Sequence, residues 1–467
     1  MNTLKTSQSS FILTILLLFL GGNMYAQSNY SYYTLDKTAQ SHYLNPAFKP
    51  SARVYVSFPL LPSQNFTASN SGFTLNDILV ERPQDDSLQI SPENAIDKMK
   101  DKNFLTFESN NEIFAFGIRL KKSYFSFGVT SRMNANFIYN KDFFKLAIEG
   151  NGKTLLGERA NFDGTEINLN SYIEYAVGFN REINEKLAVG ARVKLLSGVV
   201  NVNTRKTALG LHTNATTFDL TIDGSATLNT SGIKPLYDTL SSDNSLPIDN
   251  AYNFKNFGLA FDLGAVYKFS DKFKVSASVI DLGFIDWKTD NATFNIDDFN
   301  YRFEGIDVNK YINDTTDALF TEIEDSLTDI FSQEESDSEY RTGLTTRFYL
   351  SGAYNLSKSF SVGVTLYNEI LKSNYRATAI VSGTVKLRHW LSATVNYAQY
   401  SKSFGDVGAG LSLRGGPVQF FVSSNNILGF INPQKYTNFH ANLGINFLFG
   451  NPDKVDKKKR KEKEQKI

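Results

Sequence analysis

Phe439-His440-Ala441-Asn442-Leu443-Gly444-Ile445-Asn446-Phe447-Leu448-Phe449 carries an apolar side chain at every odd position. Between them stand His440, Asn442, Gly444, Asn446 and one apolar exception, Leu448. Successive side chains on a strand point to opposite faces, so an extended segment here has one greasy face and one mostly polar face. The pattern recurs at 114–120, 125–129, 173–179, 187–195, 218–222, 257–269, 344–354, 360–366, 375–387, 391–397 and 407–413. No interleaved helical segments are available to cover such a sheet. Repeated strands of about ten residues, apolar on one side and polar on the other, define a transmembrane β-barrel.

Alternation alone does not separate this reading from a soluble barrel, in which the greasy faces would point inward. The distribution of charge and aromatic residues does. Phe257, Leu259, Phe261, Leu263, Ala265, Tyr267 and Phe269 form the longest perfect series, opposite Gly258, Ala260, Asp262, Gly264 and Lys268. Charge never enters the greasy face, where a Lys or Arg near mid-membrane costs about 2–4 kcal/mol. Phe (38) and Tyr (23) far outnumber Trp (2), and 31 glycines suit tight turns. A mean hydropathy of −0.27 argues against a polytopic helical protein, which needs apolar runs of about 20 residues.

The single long apolar run, Phe11 to Leu20, is too short to span a bilayer. It follows Lys5 and precedes Gly21, Gly22 and Ala26, so residues 1–26 are expected to be a signal peptide cut between Ala26 and Gln27. Without Cys, neither a lipid-modified N-terminus nor a disulfide is available. Lys and Arg (48) balance Asp and Glu (48), so no global field favours nucleic acid. The charge is segregated locally: residues 314–339 are wholly acidic among their charged members, and residues 451–467 form a Lys-rich tail expected in the periplasm.

Short connections at Lys121-Lys122, Asn184-Glu185, Ser270-Asp271, Ser357-Lys358, Arg388-His389 and Gly415-Gly416 are assigned to the periplasmic side. Long ones near 134–165, 229–254, 288–340 and 425–437 are assigned to the outside. Eight strands follow the Ser270-Asp271 turn. Between the turns at Asn184 and Ser270 three strands stand out, beginning near Leu187, Phe218 and Phe257, where parity requires an even number. Either a weak strand runs through Arg205–Leu211 or one segment is mis-sided. With a strand near Val54–Phe58, the expectation is an all-β antiparallel barrel of about 14 strands (range about 12–16) spanning residues 111–450.

Three stretches outside the strands read as helices. Pro92 follows a potential cap at Ser91 with Ile96 and Met99 on one face; Asp142 to Ile148 is stopped by Gly150; and Leu319, Ile323, Leu327 and Phe331 recur every four residues in the acidic stretch. This last segment reads as a lid over the pore or as a helix packed on neighbouring loops. Within residues 27–110, four prolines (Pro46, Pro50, Pro59 and Pro62) break up the aromatic-rich stretch from Asn29 to Leu61. It reads as a plug or as a lead-in to the first strand.

Sequence motifs for catalysis are absent. The four histidines His42, His212, His389 and His440 lack metal-ligand spacing, and there is no thiol, nucleophile elbow or phosphate loop. No enzyme activity, cofactor or metal is expected. Arg192, Lys194, Asp262, Lys268, Arg347, Arg376 and Lys386 fall on polar faces and are candidate lumen residues, with Glu174, Asp219 and Asp223 beside them. Buried charges must pair or stay wet, so these residues either close the interior as ion pairs or line a conduit.

Leu44-Asn45-Pro46-Ala47 resembles the Asn-Pro-Ala segment of the long-chain fatty-acid transporter family, which implies fourteen strands and an N-terminal hatch and makes Asn45, Pro46 and Ala47 plug candidates. Val279-Ile280-Asp281-Leu282-Gly283-Phe284-Ile285-Asp286-Trp287 and Gly444–Gly450 resemble an uncharacterised branch of related barrels in gram-negative bacteria that use type IX secretion. The expected function is a passive outer-membrane channel for hydrophobic or amphipathic small molecules. The alternative is a non-transporting platform for secretion or surface attachment. The expected partners are outer-membrane lipid and lipopolysaccharide, the barrel-assembly machinery and a hydrophobic solute, with no nucleic acid.

Overall fold

A computed structural model describes residues 30–50, 52–82, 87–233, 252, 254–303, 338–371, 374–387, 390–400 and 405–450. The expected signal cleavage site, the acidic helix and the basic tail lie outside these residues.

Alternation produces a closed antiparallel barrel of 14 strands. Strand β1 is split, Val54–Ser57 and Gln64–Asn70, around a bulge that takes up Pro59 and Pro62. There follow β2 (Lys102–Leu120), β3 (Ser123–Asn140), β4 (Glu166–Glu182), β5 (Leu187–Thr213), β6 (Phe257–Lys268) and β7 (Phe273–Trp287). The second half holds β8 (Thr346–Asn355), β9 (Phe360–Leu371), β10 (Asn374–Leu387), β11 (Leu391–Tyr400), β12 (Asp406–Gly415), β13 (Val418–Ser424) and β14 (Asn438–Phe449). Each strand pairs with its sequence neighbour, and β1 closes the ring by pairing with both β14 and β2. Closure leaves no sheet edge inside the hydrocarbon, where an unpaired backbone group could find no water.

The greasy faces point outward. Val177, Leu263, Val381 and Val395 are each more than half exposed, while the alternate residues Glu174, Asp262, Ser382 and Asn396 are buried. This is the inverse of a soluble barrel and identifies a membrane-spanning one. Aromatic rings collect at the short-turn end, with Phe58 against Phe447, Phe125 against Phe179, and Tyr267, Phe269 and Phe273 in sequence. Such girdles mark a membrane–water boundary.

The parity conflict in the first half is resolved by length. β5 runs for 27 residues, about two and a half times what a membrane crossing requires. Its distal half, which contains 205–211, rises past the barrel and pairs with Leu220–Ser231, and that strand pairs with Asn291–Phe303. The segment beginning near Phe218 is therefore part of a sheet above the long-loop rim, and only β5 and β6 cross between those two short turns. The stretches assigned as loops near 134–165, 229–254 and 288–340 accordingly begin or continue as strand. Two of the expected helices lie among the described residues and fall near their expected places, at Glu93–Lys98 with Ile96 and the following Met99 buried, and at Lys141–Glu149 stopped by Gly150 at φ 74°.

Residues 30–50 fold inside the short-turn half of the barrel. A helical turn at Ser31–Thr34 and a 3-10 turn at Ala39–Tyr43 are joined by tight bends. Tyr30, Tyr32, Tyr33, Leu44, Ala47 and Phe48 form a core with inward-pointing wall residues that include Tyr349, Tyr367, Ile380 and Phe421. Tyr33 stacks on Tyr349 with ring centroids 5.0 Å apart, and Tyr32 meets Phe421 edge-on. The plug therefore supplies the half of a hydrophobic core that the barrel wall lacks.

Candidate functional site in the lumen

The Asn-Pro-Ala turn anchors the plug. Asn45 Oδ1 accepts the Ala47 N–H (2.9 Å), closing a tight turn, while Asn45 Nδ2 donates to Tyr33 Oη (3.0 Å) and to the Ala277 carbonyl of β7 (3.2 Å). Asn180 Nδ2 donates to the Pro46 carbonyl (2.9 Å), and Ser278 Oγ donates to the Leu44 carbonyl (2.6 Å). The turn sits on Gly190 and Gly264, which face each other across β5 and β6. A Cβ at Gly190 would stand 2.1 Å from the Pro46 oxygen, and one at Gly264 2.2 Å from Asn45 Oδ1. The resemblance made Asn45, Pro46 and Ala47 plug candidates without marking the glycines beneath them.

At the short-turn mouth, Asp36 bridges Lys274 (2.6 Å) and Lys386 (2.7 Å). Burial opposes its ionisation, but the two ammonium groups outweigh this and hold its carboxyl well below the usual carboxylate range. Lys386 is thus a plug anchor. Lys268 keeps its lumen parity but ends β6 exposed at the rim, so the expectation of a lumen residue is corrected to a mouth residue. Asp223 belongs to the sheet above the rim and Asp219 immediately precedes its Leu220–Ser231 strand; they pair with Arg159 and Arg302 respectively.

Above the plug lies a belt of ten charges. Arg132 meets Glu174, and Arg192 joins Glu174 to Asp262 at 3.1 Å each. Lys194 reaches Asp262 (2.7 Å) and Asp281 (2.5 Å). Arg347 bonds Asp281 (3.0 Å), Glu108 (2.8 Å) and Glu369 (3.3 Å), and Arg376 completes the chain at Glu369. Five cations face five carboxylates from nine consecutive strands, β2 to β10, all at or below about a tenth exposure. The belt thus brings together Arg192, Lys194, Asp262, Arg347 and Arg376. The Arg192 guanidinium also lies over the Tyr43 ring, 4.8 Å from its centroid, tying belt to plug.

Asp281 enters the belt through a β-bulge. Between Phe261 and Leu263 of β6 the pairing with β7 shifts by one residue, and Asp281 adopts φ 61°. Even positions of β7 point inward up to Ile280; beyond the bulge the odd positions Gly283, Ile285 and Trp287 do. Strict alternation would have put this carboxylate in lipid.

Two cavities lie in line above the plug. A chamber of about 60 Å³ is bounded below by Tyr32, Tyr43 and Leu44. An open vestibule of about 710 Å³ faces the long-loop end. Glu108 and Arg347 line both, so their ion pair is the partition. Among the described residues the vestibule lining holds four acids (Glu108, Glu166, Glu339, Glu369), four arginines (Arg205, Arg341, Arg347, Arg376) and six asparagines. Among the described residues no three His, Asp or Glu side chains converge as a metal site. The ring nitrogens of His440 meet the Asn65 amide (3.0 Å) and the Asn425 N–H (3.1 Å), neither of them the Ser or Asp of an acid–base pair.

The chain belongs to a family of unknown function (DUF5723), whose profile matches residues 46–425. No curated protein sequence matches it. Among solved structures it is similar to a Pseudomonas aeruginosa FadL homologue (11% identity, TM-score 0.41, 92% of this chain and 100% of that one). It is also similar to the Ralstonia pickettii toluene transporter TbuX (10% identity, TM-score 0.40, 89% and 94%) and the Pseudomonas putida toluene transporter TodX (9% identity, TM-score 0.37, 88% and 94%). Identities this low transfer no cargo from those proteins to this one.

Proposed function

We propose that the protein is a gated passive channel of the outer membrane, with its short turns in the periplasm and its vestibule open to the outside, admitting small amphipathic solutes polar end first. The observation that carries this reading is the shared wall: Glu108 and Arg347 separate two aligned cavities. Opening that pair and releasing the plug would join vestibule to periplasm without disturbing the barrel's backbone ladder. The polar lining favours a solute with a hydrophilic head over a bare hydrocarbon. Water-filled polar interiors with lipid-facing apolar walls are the usual design of outer-membrane pores.

Deleting residues 30–50 tests the proposal. Liposomes with the intact chain should swell slowly in a solution of a small zwitterion, and those with the deletion many-fold faster. The pair Glu108→Gln with Arg347→Gln, in the plugged chain, should give a smaller rise. The ring of ion pairs and the filled lumen also suit the platform reading. A deletion variant that folds yet passes nothing would leave that reading in place of the channel.

A further inference from the structure

The vestibule wall carries a row of amides in register. Asn136 of β3 stands directly opposite Asn168 of β4, Asn168 opposite Asn203 of β5, and Asn203 opposite Asn229 in the sheet above the rim. Threonines end the row on both sides, Thr106 opposite Asn136 and Thr293 opposite Asn229. Strands lie about 4.8 Å apart, so the row repeats a donor–acceptor group at that interval. The members hold one another in place: Asn203 Nδ2 donates to Asn168 Oδ1 (2.9 Å), Thr106 Oγ1 to Asn136 Oδ1 (3.0 Å) and Thr293 Oγ1 to Asn229 Oδ1 (3.3 Å). Among the described residues, the amide nitrogens of Asn136 and Asn229 donate to no protein acceptor, and the Asn134 side chain makes no protein hydrogen bond. These groups face a cavity of about 710 Å³, within the roughly 300–1,000 Å³ of small-molecule sites.

From this row we infer that the vestibule is a binding site for a short neutral oligosaccharide. The inference goes beyond the proposed channel: it gives the vestibule a ligand class of its own, beside the amphipathic solutes proposed to pass the plug. An amide offers both donors and acceptors, which matches the vicinal hydroxyls of a pyranose, each at once donor and acceptor. Among the described residues the charges of the lining balance, four acids against four arginines, which favours a neutral ligand over an ion of either sign. Apolar side chains (Ala135, Ile138, Leu344, Ile370 and the Tyr340 ring) are outnumbered by polar ones among the lining residues, so a hydroxylated ligand finds more partners than an alkyl chain. Among the described residues, Tyr340 supplies the one aromatic ring in the lining; its hydroxyl donates to Asn201 Oδ1 (2.9 Å), and the ring is stacked on Trp287 at 26°, with centroids 6.4 Å apart. A ring so fixed offers a flat surface to the C–H face of a sugar.

The Trp287–Tyr340 stack provides the readout. In a Trp390→Phe background of the full chain in detergent, Trp287 fluorescence is titrated with maltotriose, cellotriose and chitotriose, with a neutral tripeptide and an octyl detergent as comparisons. At least one trisaccharide should saturate at millimolar concentration or below. Asn136→Ala with Asn168→Ala should weaken it tenfold or more, and Asn134→Ala, which removes no protein hydrogen bond, should weaken it several-fold without altering heat-modifiable gel migration. Saturation by no trisaccharide, equal binding by both variants, or tighter binding of the tripeptide or detergent overturns the inference. Sugar binding by a barrel that stays impermeable after plug deletion would sink the channel alone; free permeation without sugar binding would sink only this assignment.

Discussion

Gly190 and Gly264 show how two hydrogen atoms in place of side chains decide where a plug sits. Their facing positions let the Pro46 carbonyl and the Asn45 side chain approach the wall more closely than any Cβ permits. Gly264→Ala should therefore expel the turn and leave the barrel ladder intact, since the clash is with plug atoms. Overpacking of this kind costs about 1–3 kcal/mol. Hydrogen exchange should show residues 30–48 deprotected and β5 and β6 unchanged; uniform deprotection of both strands would contradict this. His42 adds a pH response. Burial first, and then the Arg192 charge, lower its pKa to about 3, while its Nδ1 proton is held by the Ala39 carbonyl. The folded pKa lies below the free value of 6.5, so docking stability is complete above about pH 6.5 and declines as pH falls, by up to about 1.4 kcal/mol per unit. Asp36, also depressed, contributes in full above its ordinary value of 3.8 and loses that contribution progressively below it, so its loss comes at more acid pH. Plug exchange should accelerate between pH 6.5 and 5 in the native chain and stay level in His42→Gln; the same acceleration in the variant would assign it elsewhere.

Among the elements, β7 and β5 mark what the sequence hid. The outward series of β5 was legible because lipid tolerates no charge and alternation follows directly, whereas the residues of β7 entered only through a resemblance. The bulge was not legible, because one inserted residue reverses parity and leaves no mark beyond an Asp whose αL conformation any turn could share. The span of β5 was equally obscure, since a strand that outruns the membrane alternates as one inside it does. Tyr349, Tyr367 and Phe421 were visible as apolar residues on the polar face, but that signal acquires meaning only once a plug is known to meet them. The bulge has a measurable consequence. Asp281→Ala leaves Lys194 and Arg347 short of a carboxylate inside the belt and should destabilise the barrel by about 3–5 kcal/mol in urea. Adding Lys194→Met should recover part of that loss, because it removes a charge left in excess. A double variant destabilised by the full sum of the two singles would show that Lys194 and Asp281 are not coupled.

On the scale of the whole molecule, two hydrophobic surfaces of opposite sense coexist: a band facing lipid and a small core facing the plug. The band made the fold legible from alternation, whereas the lumen's contents depended on which residues 14 strands bring face to face across a distance no local pattern encodes. The belt illustrates this. Six of its ten members (Arg192, Lys194, Asp262, Arg347, Arg376 and Glu174) were recognisable as inward charges, yet the partners of Arg347 come from residues 108, 281 and 369 and meet only after closure. The lipid assignment is the premise for all of it, and neighbouring residues on β10 test it. Val381 is 56% exposed and Ser382 is buried. Val381→Arg should cost about 2–4 kcal/mol in bilayers, the price of a guanidinium at mid-membrane depth, and much less in detergent micelles, where water reaches the barrel wall. Ser382→Arg places the same charge in a packed interior and should cost as much in micelles as in bilayers. Equal penalties for Val381→Arg in the two media would mean that the outward face does not meet hydrocarbon.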